Sequence, residues 1–200
     1  MNLSAIARRL AHLGVSGETT GEGPRAAVAA ILRQREGADS ADLFFIRRAD
    51  RTGDPWSGHI AFPGGRAEPT DDSILVTAIR ETCEEVGIDL TNADLVARLP
   101  DLLPYTRTKR AVTVTPFVFA LKSDVVPTPN EEVAGTYWIP FDKLARGEGR
   151  GTFPWVWEGK TLELPCIRFE PGGEILWGMT YRMLETMIEA LGPEDDAMLP

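Results

Sequence analysis

The sequence predicts an α+β fold in which helices cover a central β-sheet. Short runs rich in β-branched and aromatic residues are typical of buried strands, and they lie at residues 26–32, 41–48 and 111–121. Other segments repeat apolar residues at the spacing of an amphipathic helix, and they lie at residues 3–13, 74–86 and 175–191. With 200 residues and 43% hydrophobic content, the chain can bury one sizeable core, so we expect residues 1–200 to form one domain.

The two ends of the chain are predicted to be a helix with a linker and a tail. Four apolar residues share one face of the first helix: Leu3, Ile6, Leu10 and Leu13. The Gly-rich stretch that follows favours a linker, so residues 1–24 are expected to form an N-terminal helix and linker. Residues 192–200 are acidic, and we expect them to form a flexible tail.

The remaining elements follow from shorter patterns. They are strands at residues 94–99 and 135–141, a short helix at 141–150 and a hairpin at 151–170. In the hairpin, Phe153, Trp155 and Trp157 alternate along the chain, which places Trp155 and Trp157 on one face. Sheet packing is the ordinary explanation of such a face, and stacking against a base is the alternative.

The composition disfavours two classes of partner. A net charge of −9 and a pI near 4.8 argue against a nucleic-acid polymer and a membrane surface, since both attract basic patches. Cys83 and Cys166 have no paired spacing, so neither a disulfide framework nor a zinc site is supported. No apolar run reaches the ~20 residues of a membrane span, and no signal-peptide core is present. We therefore expect a cytoplasmic protein.

Three glutamates lie close together on the predicted helix at residues 74–86. An apolar stripe that should face the core runs through Leu75, Ile79, Thr82, Cys83 and Val86. Glu81, Glu84 and Glu85 lie on the flank beside it, in the last turns. Like charges three or four residues apart repel by about 0.2–0.5 kcal/mol per pair, and the negative end of the helix dipole adds to that cost. A cation bound by all three removes the conflict.

A hard divalent metal ion fits this cluster. Mg²⁺ takes oxygen ligands and is held by one or two carboxylates together with substrate phosphates. Arg80, one turn before Glu84, can pair with it and orient the cluster. A solvated acidic face is the commoner explanation of such a run alone. The preceding Gly64-Gly65 pair favours the metal site, because glycine lets a backbone approach a ligand closely.

These residues resemble the Nudix hydrolase family, whose signature reads Gx5Ex7REUxEExGU, where U is an aliphatic residue. Six positions match its second half: Arg80, Glu81, Glu84, Glu85, Gly87 and Ile88. Thr82 stands where an aliphatic residue is usual. The first acidic position falls on Asp71 when counted from Gly65 and on Asp72 when counted from Arg80, so the loop is one residue longer and carries Asp for Glu.

The resemblance implies an α/β/α sandwich with a mixed central sheet and a loop-helix-loop that carries the signature. It implies hydrolysis of a pyrophosphate linkage with Mg²⁺ or Mn²⁺ as cofactor. Glu81 and Glu85 become the principal metal ligands, joined by Glu84 and the carbonyl of Gly65. Glu84 is the best candidate within the signature for accepting a proton from water, and Glu81 and Arg80 are the other expected catalytic residues.

An upstream stretch resembles the motif of Nudix enzymes that hydrolyse coenzyme A, which ends in Gx3FPGG. Gly58 and residues 62–65 match that ending, and Arg48-Ala49 resembles the end of the preceding strand. Asp54 replaces the arginine that the motif carries four residues before the glycine. The resemblance implies cleavage of coenzyme A or a derivative to adenosine 3′,5′-bisphosphate and 4′-phosphopantetheine. Four arginines are the expected substrate contacts: Arg48, Arg66, Arg107 and Arg110.

Several alternatives stay open. If coenzyme A is not the substrate, the alternatives are ADP-ribose, a nucleotide sugar or a dinucleoside polyphosphate. An alternative that is not an enzyme is a non-catalytic Nudix module that binds nucleotides. The basic cluster at residues 105–110 is a pyrophosphate clamp or a charged hairpin turn, and Arg48 contacts substrate or solvates a strand end. Glu131 or Glu132 helps to activate water or forms part of a turn. A homodimer through the first helix or the Trp-rich hairpin is a further expectation.

Overall fold

The computed structural model of the chain describes residues 1–16, 23–53, 56–104, 111–157, 159–170 and 172–192. Within these residues the helices are α1 (Leu3–Leu10), α2 (Ile74–Val86), α3 (Phe141–Ala145) and α4 (Gly178–Leu191). The strands are β1 (Arg25–Arg33), β2 (Asp42–Arg48), β3 (Ile60–Ala61), β4 (Gly64–Arg66), β5 (Asp94–Arg98), β6 (Thr113–Ala120), β7 (Val133–Pro140), β8 (Arg150–Trp157), β9 (Lys160–Phe169) and β10 (Glu174–Trp177). A 3₁₀ turn at Ala11–Leu13 continues α1, as the first helical pattern predicts.

Strands β1 to β7 form the main sheet, with β1 between β2 and β6. β1 runs parallel to β6, from Arg25 beside Thr113 to Leu32 beside Ala120. The pairs β1 with β2, β1 with β4, β2 with β3, β2 with β7 and β5 with β6 are antiparallel. The prediction of a mixed central sheet is confirmed.

The sheet opens between β1 and β2, and the opening receives the glycine pair. β1 and β2 pair only where Leu32 lies opposite Leu43 and at the next residue pair. Beyond that end, β3 lies beside β2 and β4 lies beside β1. The amide of Ala29 in β1 donates to the carbonyl oxygen of Pro63 at 2.9 Å. The turn between β3 and β4 is therefore held against β1.

Helices cover both faces of this sheet. Phe44 and Ile46 of β2 belong to the core beneath α2, and their neighbours Leu43 and Phe45 belong to the core on the opposite face. This alternation follows from the period of two in a strand. The second core is completed by residues of α1 and α4, among them Ile6, Leu10, Leu184 and Met187. The chain thus has the α/β/α layers that the resemblance implies.

A second sheet of three antiparallel strands contains β8, β9 and β10. The hairpin predicted at residues 151–170 is present as β8 and β9. The helix predicted at residues 175–191 is wrong at its start, because residues 174–177 form β10 and α4 begins at Gly178. The backbone of β10 pairs with β9, from Glu174 opposite Phe169 to Trp177 opposite Cys166. Apolar periodicity does not report hydrogen bonding to the preceding strand.

Some predictions concern residues beyond those described. Most of the predicted linker (residues 17–22), the basic cluster at residues 105–110 and the tail at residues 193–200 lie outside the described ranges, and so do Arg107, Arg110 and Asp54. These predictions stay predictions. Across the described ranges, no helix is both long and apolar enough to span a membrane.

Candidate active site

Helix α2 begins and ends where its sequence predicts. The side chain of Ser73 accepts a hydrogen bond from the amide of Val76 at 3.3 Å, which caps the first turn. Gly87 ends the helix with a φ of 66°, in the left-handed region that glycine adopts without steric cost. A side-chain cap thus sets the start of α2, and a glycine in the left-handed conformation sets its end.

The buried face of α2 differs from the predicted apolar stripe. Cys83 is exposed, so its expected place in the core is wrong. Thr82 is buried, as its place in the predicted stripe requires, and its hydroxyl donates to the carbonyl oxygen of Ala78 at 2.7 Å. Glu85 is also buried, with 3% of its surface exposed. The helix therefore turns Glu85 toward the sheet, against the turn that carries the glycine pair.

Each glycine of this pair has its own steric reason. Gly64 has a φ of 145°, and a methyl group there would overlap the carbonyl oxygen of Ala27 and lie 2.6 Å from Cα of Val28. A methyl group on Gly65 would lie 2.6 Å from both carboxylate oxygens of Glu81. Gly64 therefore lets the turn pack on β1, whereas Gly65 makes room for a carboxylate of α2.

Two carboxylates of α2 face this turn from a poorly hydrated position. The amide of Gly64 donates to Oε2 of Glu85 at 2.8 Å. Burial raises the pKa of Glu85 from 4.5 to about 7, although this hydrogen bond and the positive charge of Arg48 oppose the shift. Burial also raises the pKa of Glu81, against the opposing charge of Arg80. The charges of Glu81 and Glu132 raise the pKa of Glu85 further.

Arg80 joins the carboxylates of the signature through one guanidinium group. Its Nη1 donates to Oε1 of Glu81 and to Oε2 of Glu84, both at 3.1 Å. Its Nε and Nη2 donate to the two carboxylate oxygens of Asp71 at 2.9 and 3.0 Å. Nη2 also donates to the carbonyl oxygen of Arg66 at 3.1 Å. This network orients Glu81 and Glu84, as the sequence predicts for Arg80.

Asp71, not Asp72, occupies the first acidic position of the signature. Its Oδ2 also accepts hydrogen bonds from the hydroxyl of Thr77 at 2.8 Å and from the amide of Glu68 at 2.9 Å. The hydrogen bonds from Arg80 are the main reason that the pKa of Asp71 lies well below its usual range. Asp72 is exposed. Counting forward from Gly65 therefore identifies the acidic residue that Arg80 binds.

Replacing Asp71 with Asn is expected to lower the free energy of unfolding by about 2 kcal/mol at pH 7. Because the pKa of Asp71 is lower in the folded state than in the unfolded chain, its ionised form stabilises the fold above about pH 4. This contribution is lost as pH falls through the folded-state pKa. Urea unfolding at pH 7 and pH 3 measures the difference, which should narrow at the lower pH. Asp72→Asn is the matched control, and an equal loss in both variants would contradict the assignment.

The predicted substrate arginines have different positions. Arg48 ends β2, and its positive charge lowers the pKa of Glu85, so it stands near the carboxylates. Arg66 ends β4 and is exposed beside the same network. The structure therefore brings Arg48 near Glu85, and it brings the backbone of Arg66 to Arg80.

A segment outside the signature holds the carboxyl end of α2. The amides of Thr128 and Asn130 donate to the carbonyl oxygens of Val86 and Glu85 at 2.7 and 2.8 Å. The side-chain amide of Asn130 donates to the carbonyl oxygen of Glu84 at 2.9 Å. This role of Asn130 was not predicted from the sequence.

The same segment brings Glu132 to the site. The side-chain oxygen of Asn130 accepts from the amide of Glu132 at 2.8 Å. The charge of Glu132 raises the pKa of both Glu81 and Glu85. Arg51 donates to Oε1 of Glu132 at 3.1 Å, and its role was not predicted. Glu131 is far more exposed, with 91% of its side chain accessible, so Glu132 is the acid outside the signature that lies near the cluster.

The donor set fits a hard divalent cation. Within the described ranges, no group of three or more His, Cys, Asp or Glu side chains is gathered closely enough to hold a metal ion. Glu81 and Glu84 each accept a hydrogen bond from Nη1 of Arg80. The cluster nevertheless consists of carboxylate oxygens only, and its buried member Glu85 lies in the repulsive field of two others. Carboxylate oxygens are ligands that Mg²⁺ and Mn²⁺ bind.

The fold and this signature define a Nudix domain. A sequence profile of the NUDIX domain matches residues 23–156, and the chain belongs to the Nudix family. It is 37% identical over 148 residues to the uncharacterized Nudix hydrolase NudL of Yersinia pestis, covering 74% of this chain and 71% of that protein. It is 30% identical over 154 residues to the chloroplastic Nudix hydrolase 22 of Arabidopsis thaliana, covering 74% of this chain and 50% of that protein. The chain thus spans about half the length of the plant relatives that it matches.

Solved structures agree on the fold. A MutT/nudix family protein from Enterococcus faecalis superposes with a TM-score of 0.56 at 15% identity, covering 88% of this chain and 70% of that chain. A binary complex of a C. elegans Ap4A hydrolase superposes with a TM-score of 0.50 at 19% identity, covering 62% of this chain and 84% of that chain. At these identities the likeness concerns the fold alone.

Proposed function

We propose that the chain is a metal-dependent hydrolase that cleaves the pyrophosphate bond of a nucleoside diphosphate linked to another group. One observation carries the proposal: Glu85 is buried against the Gly64 amide while Arg80 holds Glu81 and Glu84 beside it. A helix that needed only stability would not bury a glutamate next to two others. A bound cation would offset the repulsion among these carboxylates.

Each residue has a role that follows from its position. Glu81, Glu84, Glu85 and the carbonyl of Gly65 would hold Mg²⁺ or Mn²⁺. The bound ion would neutralise the bridging phosphates and lower the pKa of a bound water. Arg80 keeps Glu81 and Glu84 oriented, and Glu84, whose side chain is 55% exposed, is placed to accept a proton from water.

Positive charge on the substrate side comes from Arg48 and Arg66. An arginine binds phosphate oxygens through two parallel hydrogen bonds, which orients the group that is to be cleaved. Arg107 and Arg110 are proposed to extend this contact. In phosphoryl transfer such positioning and charge stabilisation supply most of the acceleration.

Coenzyme A or one of its derivatives is the substrate that we propose. The support is the match of Gly58 and residues 62–65 to the upstream motif, together with Arg48 at the end of its strand. Asp54 departs from that motif, while Arg51, three residues earlier, reaches the site by donating to Glu132. ADP-ribose, nucleotide sugars and dinucleoside polyphosphates are the competing substrates. Cytoplasmic residence stays part of the proposal.

Product analysis tests the function and the substrate together. The purified protein is incubated with Mg²⁺ or Mn²⁺ and, separately, with coenzyme A, ADP-ribose, a nucleotide sugar and a dinucleoside polyphosphate. We expect preferential release of adenosine 3′,5′-bisphosphate from coenzyme A, detected by anion-exchange chromatography, and no release in the presence of a chelator. Preferential cleavage of another compound would overturn the coenzyme A proposal. No cleavage of any compound would favour a nucleotide-binding module.

A further inference from the structure

Four aromatic rings form a cluster beside the candidate active site. The ring centroid of Trp177 in β10 lies 4.6 Å from that of His59, 5.0 Å from that of Phe153 and 4.7 Å from that of Trp155. We call these four residues the aromatic cluster. It joins the second sheet, through β8 and β10, to the loop that leads into β3.

The aromatic cluster is continuous with the glutamate site through the backbone. The amide of Arg48 at the end of β2 donates to the carbonyl oxygen of His59 at 3.0 Å, so the loop that leads into β3 lies beside the end of β2. The charge of Arg48 in turn acts on Glu85. A ligand whose phosphates lie at Arg48 and the glutamates can therefore extend directly onto the aromatic rings.

Packing of the sheet alone does not account for the cluster. Phe45 and Phe62 form a stacked pair in the core and are 0% and 2% exposed. The members of the aromatic cluster are only half-buried. Leu162, directly opposite Trp155 on β9, is 44% exposed. The second sheet thus presents ring surface and an apolar neighbour on the face that carries Trp155.

This surface lies only partly beyond the residues that match the family profile, because His59, Phe153 and Trp155 fall within residues 23–156 and Trp177 follows them. The NUDIX profile ends at residue 156, whereas β9 and β10, including Trp177, follow it. The residues that would bind the pyrophosphate in the proposed function lie within the matched range, whereas the second sheet is completed by strands that follow it. A feature of this kind is suited to recognising the variable part of a substrate.

We propose that the aromatic cluster binds the nucleobase of the substrate by stacking, with Trp155 as the principal contact. A base offers a flat π-face, and tryptophan binds such faces with little dependence on which base it is. The proposal rests on the proposed function, because it takes the phosphates to lie at the glutamates. It assigns the second sheet to recognition of the nucleoside and not to the chemistry.

Binding of two phosphate monoesters tests this assignment without turnover. Adenosine 5′-monophosphate carries a base and ribose 5-phosphate does not, and neither has a pyrophosphate bond to cleave. Isothermal titration calorimetry with Mg²⁺ present should show tighter binding of adenosine 5′-monophosphate to the unchanged protein. Trp155→Leu should weaken that binding about 10-fold and leave ribose 5-phosphate unaffected, whereas Trp155→Phe should stay within about 3-fold of the original affinity.

Val156→Ser is the matched control. Val156 lies on the same strand, is 68% exposed and points to the opposite face, so its replacement should change neither affinity. With a substrate that is cleaved, Trp155→Leu should raise KM about 10-fold and keep kcat within about 2-fold. Equal affinities of the unchanged protein for the two monoesters would overturn the proposal even if Trp155→Leu failed to fold.

Light scattering after size exclusion separates a ligand site from a subunit contact. Loss of a dimer in Trp155→Leu would assign the aromatic cluster to a second copy of this chain and overturn the proposal. The hydrolase and the stacking site can also fail separately. If binding depends on Trp155 but no substrate is cleaved, the hydrolase proposal is refuted. If a substrate is cleaved but both monoesters bind equally, the stacking site is refuted.

Discussion

Replacing Glu85 with Gln is expected to lower metal-dependent turnover about a thousandfold or more while the fold is kept. The change removes one negative charge from the carboxylate cluster, and the new amide oxygen can still accept the hydrogen bond of the Gly64 amide. The measurement is kcat/KM with Mg²⁺ and with Mn²⁺. Unchanged turnover would refute the assignment of Glu85 as a metal ligand.

The same substitution is expected to stabilise the metal-free protein at high pH. Burial raises the pKa of Glu85 from 4.5 to about 7 in the folded state, so the neutral form favours folding. This contribution is complete below the unfolded-state pKa of 4.5 and is lost as pH rises through about 7. Glutamine titrates nowhere in this range. At pH 8, the free energy of unfolding of Glu85→Gln should be about 2 kcal/mol higher than that of the unchanged protein.

Chemical unfolding at pH 4.5 and pH 8 with a chelator present measures this difference. The two proteins should differ little at pH 4.5 and most at pH 8. Added Mg²⁺ should stabilise the unchanged protein and leave Glu85→Gln unaffected. Glu36→Gln, at an exposed position far from the cluster, is the control and should stay within about 0.5 kcal/mol at each pH. The free energy of unfolding of Glu85→Gln is compared with that of the unchanged protein at each pH. If the variant compared less favourably at pH 8 than at pH 4.5, the burial of the charged carboxylate would be contradicted.

The two glycines are expected to respond differently to the same added methyl group. Gly64→Ala should lower the free energy of unfolding by about 3 kcal/mol or more, because the methyl group meets the backbone of β1 at a positive φ. Gly65→Ala meets only the carboxylate of Glu81, the far end of a flexible side chain. Its fold should lose less than about 1 kcal/mol. The displaced carboxylate should lower kcat/KM at least about 10-fold.

Thermal unfolding and steady-state kinetics of the two variants check this contrast. In each variant, the change in the free energy of unfolding is compared with the change in kcat/KM. Gly65→Ala with unchanged activity would show that Glu81 does not need its present position. Gly64→Ala with unchanged stability would show that the turn between β3 and β4 is not held tightly against β1.

Local chemistry was the part of this chain that the sequence could predict. The bounds of α2 follow from Ser73 and Gly87, because a side-chain cap and a left-handed glycine act within one helical turn. The grouping of the glutamates with Arg80 follows from the helical period in the same way. Such features need no information about distant parts of the chain.

Features that depend on contacts between different elements were missed or misplaced. Trp177 fits a helical pattern but forms part of β10, because β9 supplies its backbone partners. Cys83 was expected in the core and Glu85 on a flank, yet Glu85 is the buried one. The cause is the close approach of α2 to the glycine turn, which hydrophobicity does not encode. Arg51 reaches the cluster through Glu132, which lies 81 positions later in the chain.

The hydrogen bond from Gly64 to Glu85 also provides a spectroscopic probe of the site. One backbone amide donates directly to the carboxylate that we expect to titrate and to bind metal. Its resonance in a proton–nitrogen correlation spectrum should therefore move when Glu85 loses a proton and again when a cation arrives. A single isotope-labelled glycine signal would follow occupancy of the site in real time, without a substrate and without any engineered fluorophore.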